Sequence, residues 1–389
     1  MGDRTIFSEE HEIFRRSVEA FIDRNVVPHH AQWEKDGIVP RSLWEQAGEA
    51  GLLCCAVPQA FGGGGGDFLH GAIVQEELAF KGVTGPGFHL HSDIVAPYFV
   101  HYGTEAQRER YLPAMARGER IGALAMTEPG AGSDVQGLRT HARKVNGGSR
   151  LTGQKTFITN GQNADIVIVA AKTNPDAGAK GLSLLIVERS DEGFSRGRNL
   201  EKVGWHAQDT SELFFDDVFL PEERLLGELD RGFVCLMQQL PQERLLACIR
   251  GIAAVEAVLE ETIQYVSERS AFGKPLSALQ NTRFKLADAK TETDVARVYV
   301  DHLIARHIGG GLDAIEAAKG KLHVTELACR LIDDCLQLHG GYGYMWEYPV
   351  ARAWADNRFA RIAGGTSEIM REIIGRSLFA EKTQSSTAR

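Results

Sequence analysis

The run Met126-Thr127-Glu128-Pro129-Gly130-Ala131-Gly132-Ser133-Asp134 sets two glycines between hydroxyl-bearing residues. Glycine lets a backbone approach a ligand closely, and Thr127 and Ser133 offer hydroxyls and amides to a polar ring or a carbonyl. The spacing is not that of a nucleotide fingerprint, and alone it reads equally well as a Pro-Gly turn between a helix and a strand. Four further stretches follow it in order: Phe157-Ile158-Thr159-Asn160, Arg269-Ser270-Ala271-Phe272-Gly273-Lys274, Gln337-Leu338-His339-Gly340-Gly341 and Gly364-Gly365-Thr366-Ser367-Glu368. Gly340-Gly341 reads either as a helix stop or as a place where backbone meets a ligand. Glu243, in the first turn of a helix opening near Leu240, reads by itself as a surface carboxylate favourable to the helix dipole.

The elements that must hold these stretches change texture along the chain. Residues 1–123 read as a helical domain: Phe14, Val18, Phe21 and Ile22 recur at helical spacing, and Trp44, Ala47 and Ala50 mark a helix ending at Gly51. Gly62 to Gly66 has no lysine or helix start in phosphate-loop register, so it reads as a flexible turn. Residues 124–232 carry short β-rich runs at Asp165–Ala170, Gly181–Glu188 and Glu212–Pro221, which fit a small antiparallel β-domain. Residues 233–389 return to helix. Leu245, Cys248, Ile252, Val255, Leu259 and Val266 form one stripe, and Ile315, Ala318, Leu322, Thr325, Cys329, Ile332 and Leu336 another, as a four-helix bundle requires. The fold class is α+β, and only the polar tail from Lys382 to Arg389 reads as disordered.

Bulk properties exclude several classes. A chain of 389 residues needs two or three packed domains, and 43% hydrophobic with 24% charged residues is ordinary for a globular protein. The longest apolar runs are too short to span a bilayer. A net charge of −9 argues against a nucleic-acid groove. The N-terminus has no secretory pattern, and six cysteines without CxxC pairs read as reduced thiols, so the expected compartment is the cytoplasm, or the mitochondrial matrix for a processed eukaryotic chain. The thirteen histidines, His89, His91 and His101 among them, build no metal-ligand spacing.

The ordered set of motifs resembles the FAD-dependent acyl-CoA dehydrogenase family over nearly the whole chain. Its long-chain branch is the most similar, through Gln208–Phe215, Leu240–Leu246 and His339–Pro349. The resemblance implies a flavin between the β-domain and the C-terminal bundle, and a homotetramer. It also implies removal of the proton beside a thioester carbonyl by a carboxylate, with the β-hydrogen passing to FAD as hydride.

Residue by residue, the resemblance places Met126, Thr127, Gly132 and Ser133 beside the flavin ring. Phe157 lies over the ring face, where many relatives have tryptophan, and Ile158 and Thr159 at the reactive edge. Arg269, Phe272 and Gln280 match the stretch that binds the pyrophosphate and adenine of a neighbouring subunit's flavin, a natural use of a guanidinium. Gln337, Leu338, His339, Gly340 and Gly341, with Thr366, Ser367 and Glu368, complete that pocket. Many members carry the base just before Gly-Thr, where this chain has Gly364. A branch including the long-chain and isovaleryl-CoA enzymes instead carries it on the earlier helix, so the pairing of Glu243 with Gly364 points to Glu243 as catalytic base, with a pKa raised by burial. Ser133, Gln242, Arg244, Gly364 and Gly365 then face the acyl-CoA. The implied reaction is dehydrogenation of a fatty acyl-CoA to the trans-2-enoyl-CoA, with electrons leaving to an electron-transferring flavoprotein. An acyl-CoA oxidase, a dehydrogenase of carrier-protein-bound acyl groups, and a non-catalytic binding member are the alternatives.

Overall fold

The computed structural model describes residues 4–385. In chain order its helices and strands are α1 (Glu9–Asn25), α2 (Val27–Asp36), α3 (Arg41–Glu49), α4 (Phe68–Phe80), α5 (Ala96–Tyr102), α6 (Glu105–Ala116), β1 (Gly122–Ala125), β2 (His141–Val145), β3 (Gly148–Thr159), β4 (Ile166–Lys172), β5 (Leu182–Glu188), β6 (Phe194–Asn199), β7 (Thr210–Pro221), β8 (Leu225–Leu226), α7 (Gly232–Glu268), α8 (Gln280–Ile308), α9 (Ala314–His339), α10 (Pro349–Arg358) and α11 (Ser367–Ser385). The order helical, β, helical agrees with the sequence reading. The chain forms two compact units, one of Ile13–Val74 with Thr84–Gln239, the other of the segment up to Glu12, Gln75–Val83 and everything from Leu240.

In the first unit the sheet runs β6-β7-β3-β2-β4-β5-β8, with β1 joined to β4. It is not wholly antiparallel as expected: β1 and β2 both lie parallel to β4. The physical reason is in the sequence of β4, Ile166-Val167-Ile168-Val169-Ala170-Ala171, which is apolar at every position. Alternate side chains of a strand face opposite ways, so such a strand must be covered on both sides. Ile166, Ile168 and Ala170 pack with Tyr98, Phe99, Tyr111 and Leu112 of the helices, while Val167, Val169 and Ala171 pack with Leu151, Leu213 and Phe215 of the sheet's other face.

The five-glycine run is not flexible. Its amides at Gly63 to Gly66 bond to carbonyls of Pro58, Cys54, Val57 and Cys55, and a Cβ at Gly63 would stand 2.3 Å from the Val57 oxygen. Close approach of backbone to backbone, rather than a ligand, accounts for these glycines.

In the second unit α9 packs against α8, α10 and α11. The stripe read on α7 is buried as expected, from Leu245 to Val266. On α9 the expected stripe is borne out in part: Ala318, Thr325 and Ile332 are buried, while Ile315, Leu322, Cys329 and Leu336 are half-buried, and the buried face widens to Ala317, Lys321, Val324, Ala328, Leu331 and Cys335. A charge network fastens the early chain here. Arg297 pairs with Glu256 and, at 2.8 Å, with Glu76, and Arg4 reaches Glu76 at 2.8 Å and Asp301 at 2.9 Å. The tail expected to be disordered is helical to Ser385, and its last four residues, 386–389, lie outside the described residues. All six cysteines are unpaired, and no helix among the described residues is long and apolar enough to cross a membrane.

Candidate active site

The turn from Met126 to Asp134 is held to β3 by a buried ion pair. Lys155 Nζ lies 2.8 Å from Glu128 Oε1 and donates to the Met126 carbonyl at 2.8 Å. Glu128 also accepts the amides of Arg139 and Thr140, and the Thr156 amide donates to Thr127 O at 2.9 Å. Burial alone would raise the Glu128 carboxyl, but the hydrogen bond and charge of Lys155, with the bonds from Arg139 and Thr140, together outweigh it and hold the group below its usual range. Burial brings the Lys155 ammonium down to about 8. With the Met126 and Thr127 carbonyls and the Glu128 side chain so engaged, the turn is rigid, yet a Cβ at Gly130 or Gly132 would meet nothing within 4 Å. Ser133 is exposed and Thr127 half-exposed.

Just beyond on β3 itself, the β3–β7 register slips between Lys155 and Ile158. This bulge turns Phe157 outward at φ 59°, leaving the ring 67% exposed. An aromatic side chain held in water beside open backbone fits a site for a flat ring. Ile158 is different: its side chain is buried in the sheet core and its carbonyl accepts the Gly161 amide, so the expected edge contact falls to its amide alone or to Thr159.

In the helical unit Glu243 is half-buried on α7. The helix starts at Gly232, not near Leu240, so Glu243 is interior to it, with Pro241 inside the helix. Gln242 is half-buried and Arg244 is 4% exposed. Arg244 Nε donates to Gly364 O at 3.4 Å, so the helix bearing Glu243 and the glycine turn are brought together as the paired reading required. Burial lowers the Arg244 pKa, partly offset by the charge of Glu243. Gly364 has φ 65° and Gly365 φ 97°, conformations that disfavour any side chain. Lys321, which the sequence reading missed, donates to Gly365 O at 2.6 Å. It stands three residues after Ala318 and four before Thr325, on the buried face of α9, but its partner carbonyl lies 44 residues on, beyond any local pattern.

A second group gathers at the ends of α7 and α9. Arg269 lies over the Tyr342 ring at 5.4 Å, and the Tyr265 ring lies tilted against His339 at 4.2 Å, its hydroxyl donating to the His339 carbonyl. His339 is buried with neither ring nitrogen bonded, and burial lowers its pKa. Gly340 ends α9 at φ 60°, and neither it nor Gly341 has an atom within 4 Å of a Cβ, so it is a helix stop with open space beside it. Phe272 is 95% exposed at φ 54°, and Gln280 and Gln337 are exposed, while Leu338 is half-buried. Thr366 caps α11 by accepting the Ile369 amide, Ser367 Oγ is buried without a partner, and Glu368 is exposed. Exposed aromatic, guanidinium and amide groups, with orphaned polar atoms at His339 and Ser367, fit a dinucleotide such as FAD.

Sequence models of the acyl-CoA dehydrogenase N-terminal, middle and C-terminal domains match residues 8–119, 123–218 and 230–379. The chain belongs to the acyl-CoA dehydrogenase family, a family of FAD flavoproteins, and is an oxidoreductase. It is 51% identical to the mitochondrial long-chain specific acyl-CoA dehydrogenase of Sus scrofa, over 98% of this chain and 89% of that one. It is 36% identical to the mitochondrial isovaleryl-CoA dehydrogenase of Solanum tuberosum, over 97% and 92%. The crystal structure of an acyl-CoA dehydrogenase from Geobacillus kaustophilus superposes with a TM-score of 0.95 at 46% identity, covering 97% of this chain and all of that one.

Proposed function

We propose that this protein dehydrogenates long-chain acyl-CoA thioesters to trans-2-enoyl-CoA, with Glu243 as the catalytic base. The carrying observation is the Arg244–Gly364 contact, which sets the residue next to Glu243 against the turn where the other branch of the family keeps its carboxylate. The chain-length class rests on the similarity to the long-chain enzyme of Sus scrofa. Residues 1–123, 124–232 and 233–389 act as the N-terminal, middle and C-terminal domains.

Glu243 takes the proton beside the thioester carbonyl, and Gln242, Arg244 and the Gly364–Gly365 turn order the base and substrate. Thr127 and Ser133 hold the polar side of the cofactor and Phe157 covers its face. Arg269, Phe272, Gln280 and Gln337 to Gly341 take its diphosphate and adenine ends across a subunit contact, with Thr366 to Glu368. Bound FAD supplies the hydride acceptor. Exposed Phe272, Phe284, Leu378 and Phe379 support burial in a homotetramer, and electrons pass to an electron-transferring flavoprotein.

Anaerobic mixing of the purified holoenzyme with palmitoyl-CoA tests the reaction. We expect loss of the oxidised flavin absorbance and a product two hydrogens lighter. A bound flavin that stays oxidised with palmitoyl-CoA would overturn the substrate class.

A further inference from the structure

The two carbonyls of the Gly364–Gly365 turn are each taken by a buried cation from a different helix. Arg244 of α7 holds Gly364 O at 3.4 Å, and Lys321 of α9 holds Gly365 O at 2.6 Å. Lys321 is 1% exposed, and among the described residues neither cation lies in a salt bridge. Burying an ammonium against a single backbone carbonyl is unfavourable, and burial brings this one down to about 8. Pinning α9 to the start of α11 could be done by a neutral donor.

The peptide geometry says what the cations achieve. In a planar trans peptide the carbonyl and the following N–H point in opposite directions. Holding Gly365 O toward α9 therefore aims the Thr366 amide away from it, and holding Gly364 O does the same for the Gly365 amide. Among the described residues no backbone acceptor takes the amides of Gly364, Gly365 or Thr366. The turn leads into the 19-residue α11, whose own first amides add positive potential. A Cβ at Gly364 would meet only the Lys321 stem, at 3.7 Å, so the space before the turn is open.

We propose that Lys321 is a positioning residue: by fixing the Gly365 carbonyl it aims the unpaired Thr366 amide, beside the Gly365 amide set by Arg244, at the thioester oxygen of the substrate. This rests on the acyl-CoA reading above. Charge developing on that oxygen as the neighbouring proton leaves is then met by donors that need no reorganisation.

The test compares two unreactive ligands by calorimetry on the FAD-loaded enzyme: trans-2-hexadecenoyl-CoA, which has the thioester oxygen, and S-hexadecyl-CoA, which lacks it. The wild type should prefer the thioester by about tenfold, the worth of one or two good hydrogen bonds. Lys321→Met should lose most of that preference while its affinity for S-hexadecyl-CoA stays within about twofold of wild type, and Lys321→Arg should retain it. Equal weakening toward both ligands, or an undiminished preference in Lys321→Met, would overturn the assignment. If Lys321→Met does not fold, Lys321→Gln must show a reduced preference, and a wild-type value there overturns it equally. A wild type without preference would instead sink the acyl-thioester reading, and the inference with it.

Discussion

Lys155 holds Glu128 at 2.8 Å inside the sheet and, from the same nitrogen, the carbonyl of Met126. The glycine turn that faces outward is thus anchored from behind by a charge pair almost wholly withdrawn from water.

Removing one partner should be costly. Glu128→Ala leaves the Lys155 ammonium buried and uncompensated, for which about 3–5 kcal/mol is expected. Replacing both, as Glu128→Leu with Lys155→Met, should recover most of the loss. Denaturant unfolding of the three variants decides this, and a cost below about 1 kcal/mol for Glu128→Ala would mean that the turn is held otherwise.

The same pair sets an acid limit. The folded Glu128 carboxyl lies below its ordinary 4.5, so it stabilises the protein above that value and loses its contribution as pH falls through the folded pKa. The stability difference between wild type and Glu128→Gln should therefore shrink as pH falls below about 4.5. Melting temperatures of both from pH 7 to 3 measure it, and a pH-independent difference would contradict the pairing.

Phe157 offers the converse case. Because its ring is largely in solvent, Phe157→Ala should change the stability of the flavin-free protein by no more than about 0.5 kcal/mol. It should nevertheless weaken FAD uptake, followed by quenching of flavin fluorescence. A large loss of apoprotein stability with unchanged flavin affinity would assign the ring to the fold instead.

Arg297 joins Glu76 of α4 to Glu256 of α7 while nearly fully buried. Arg297→Met should cost about 3–5 kcal/mol, because Glu256 loses its partner and Glu76 is left with Arg4 alone. Arg4→Ala should cost less, since Arg297 still covers Glu76. Thermal unfolding of the two variants ranks them, and the reverse order would contradict this arrangement.

Much of the fold was legible because it follows from local pattern. The stripe on α7 and the β runs at Asp165, Gly181 and Glu212 fall where periodicity put them. Strands β2 and β6 and the polar start of β3 escaped notice because they are polar and exposed along one side, so their place depends on pairing rather than hydrophobicity. The helix carrying Glu243 begins at Gly232, eight residues before Leu240, with Pro241, a residue that favours helix N-termini, inside it. Among the site residues, Glu243, Arg244 and Gly364 were visible through their motifs. Glu128, Lys155 and Lys321 were not, because a buried charge is recognised by its partner, and partners 27 or 44 residues away are fixed only by tertiary register.

Glu243→Gln, nearly isosteric and unable to take a proton, tests the central claim most directly. Mixed anaerobically with palmitoyl-CoA in a stopped-flow spectrophotometer, the FAD-loaded variant should bleach roughly 10³-fold or more slowly than wild type while still binding the ligand. Bleaching within tenfold of the wild-type rate would show that another group removes the proton and that Glu243 is not the base.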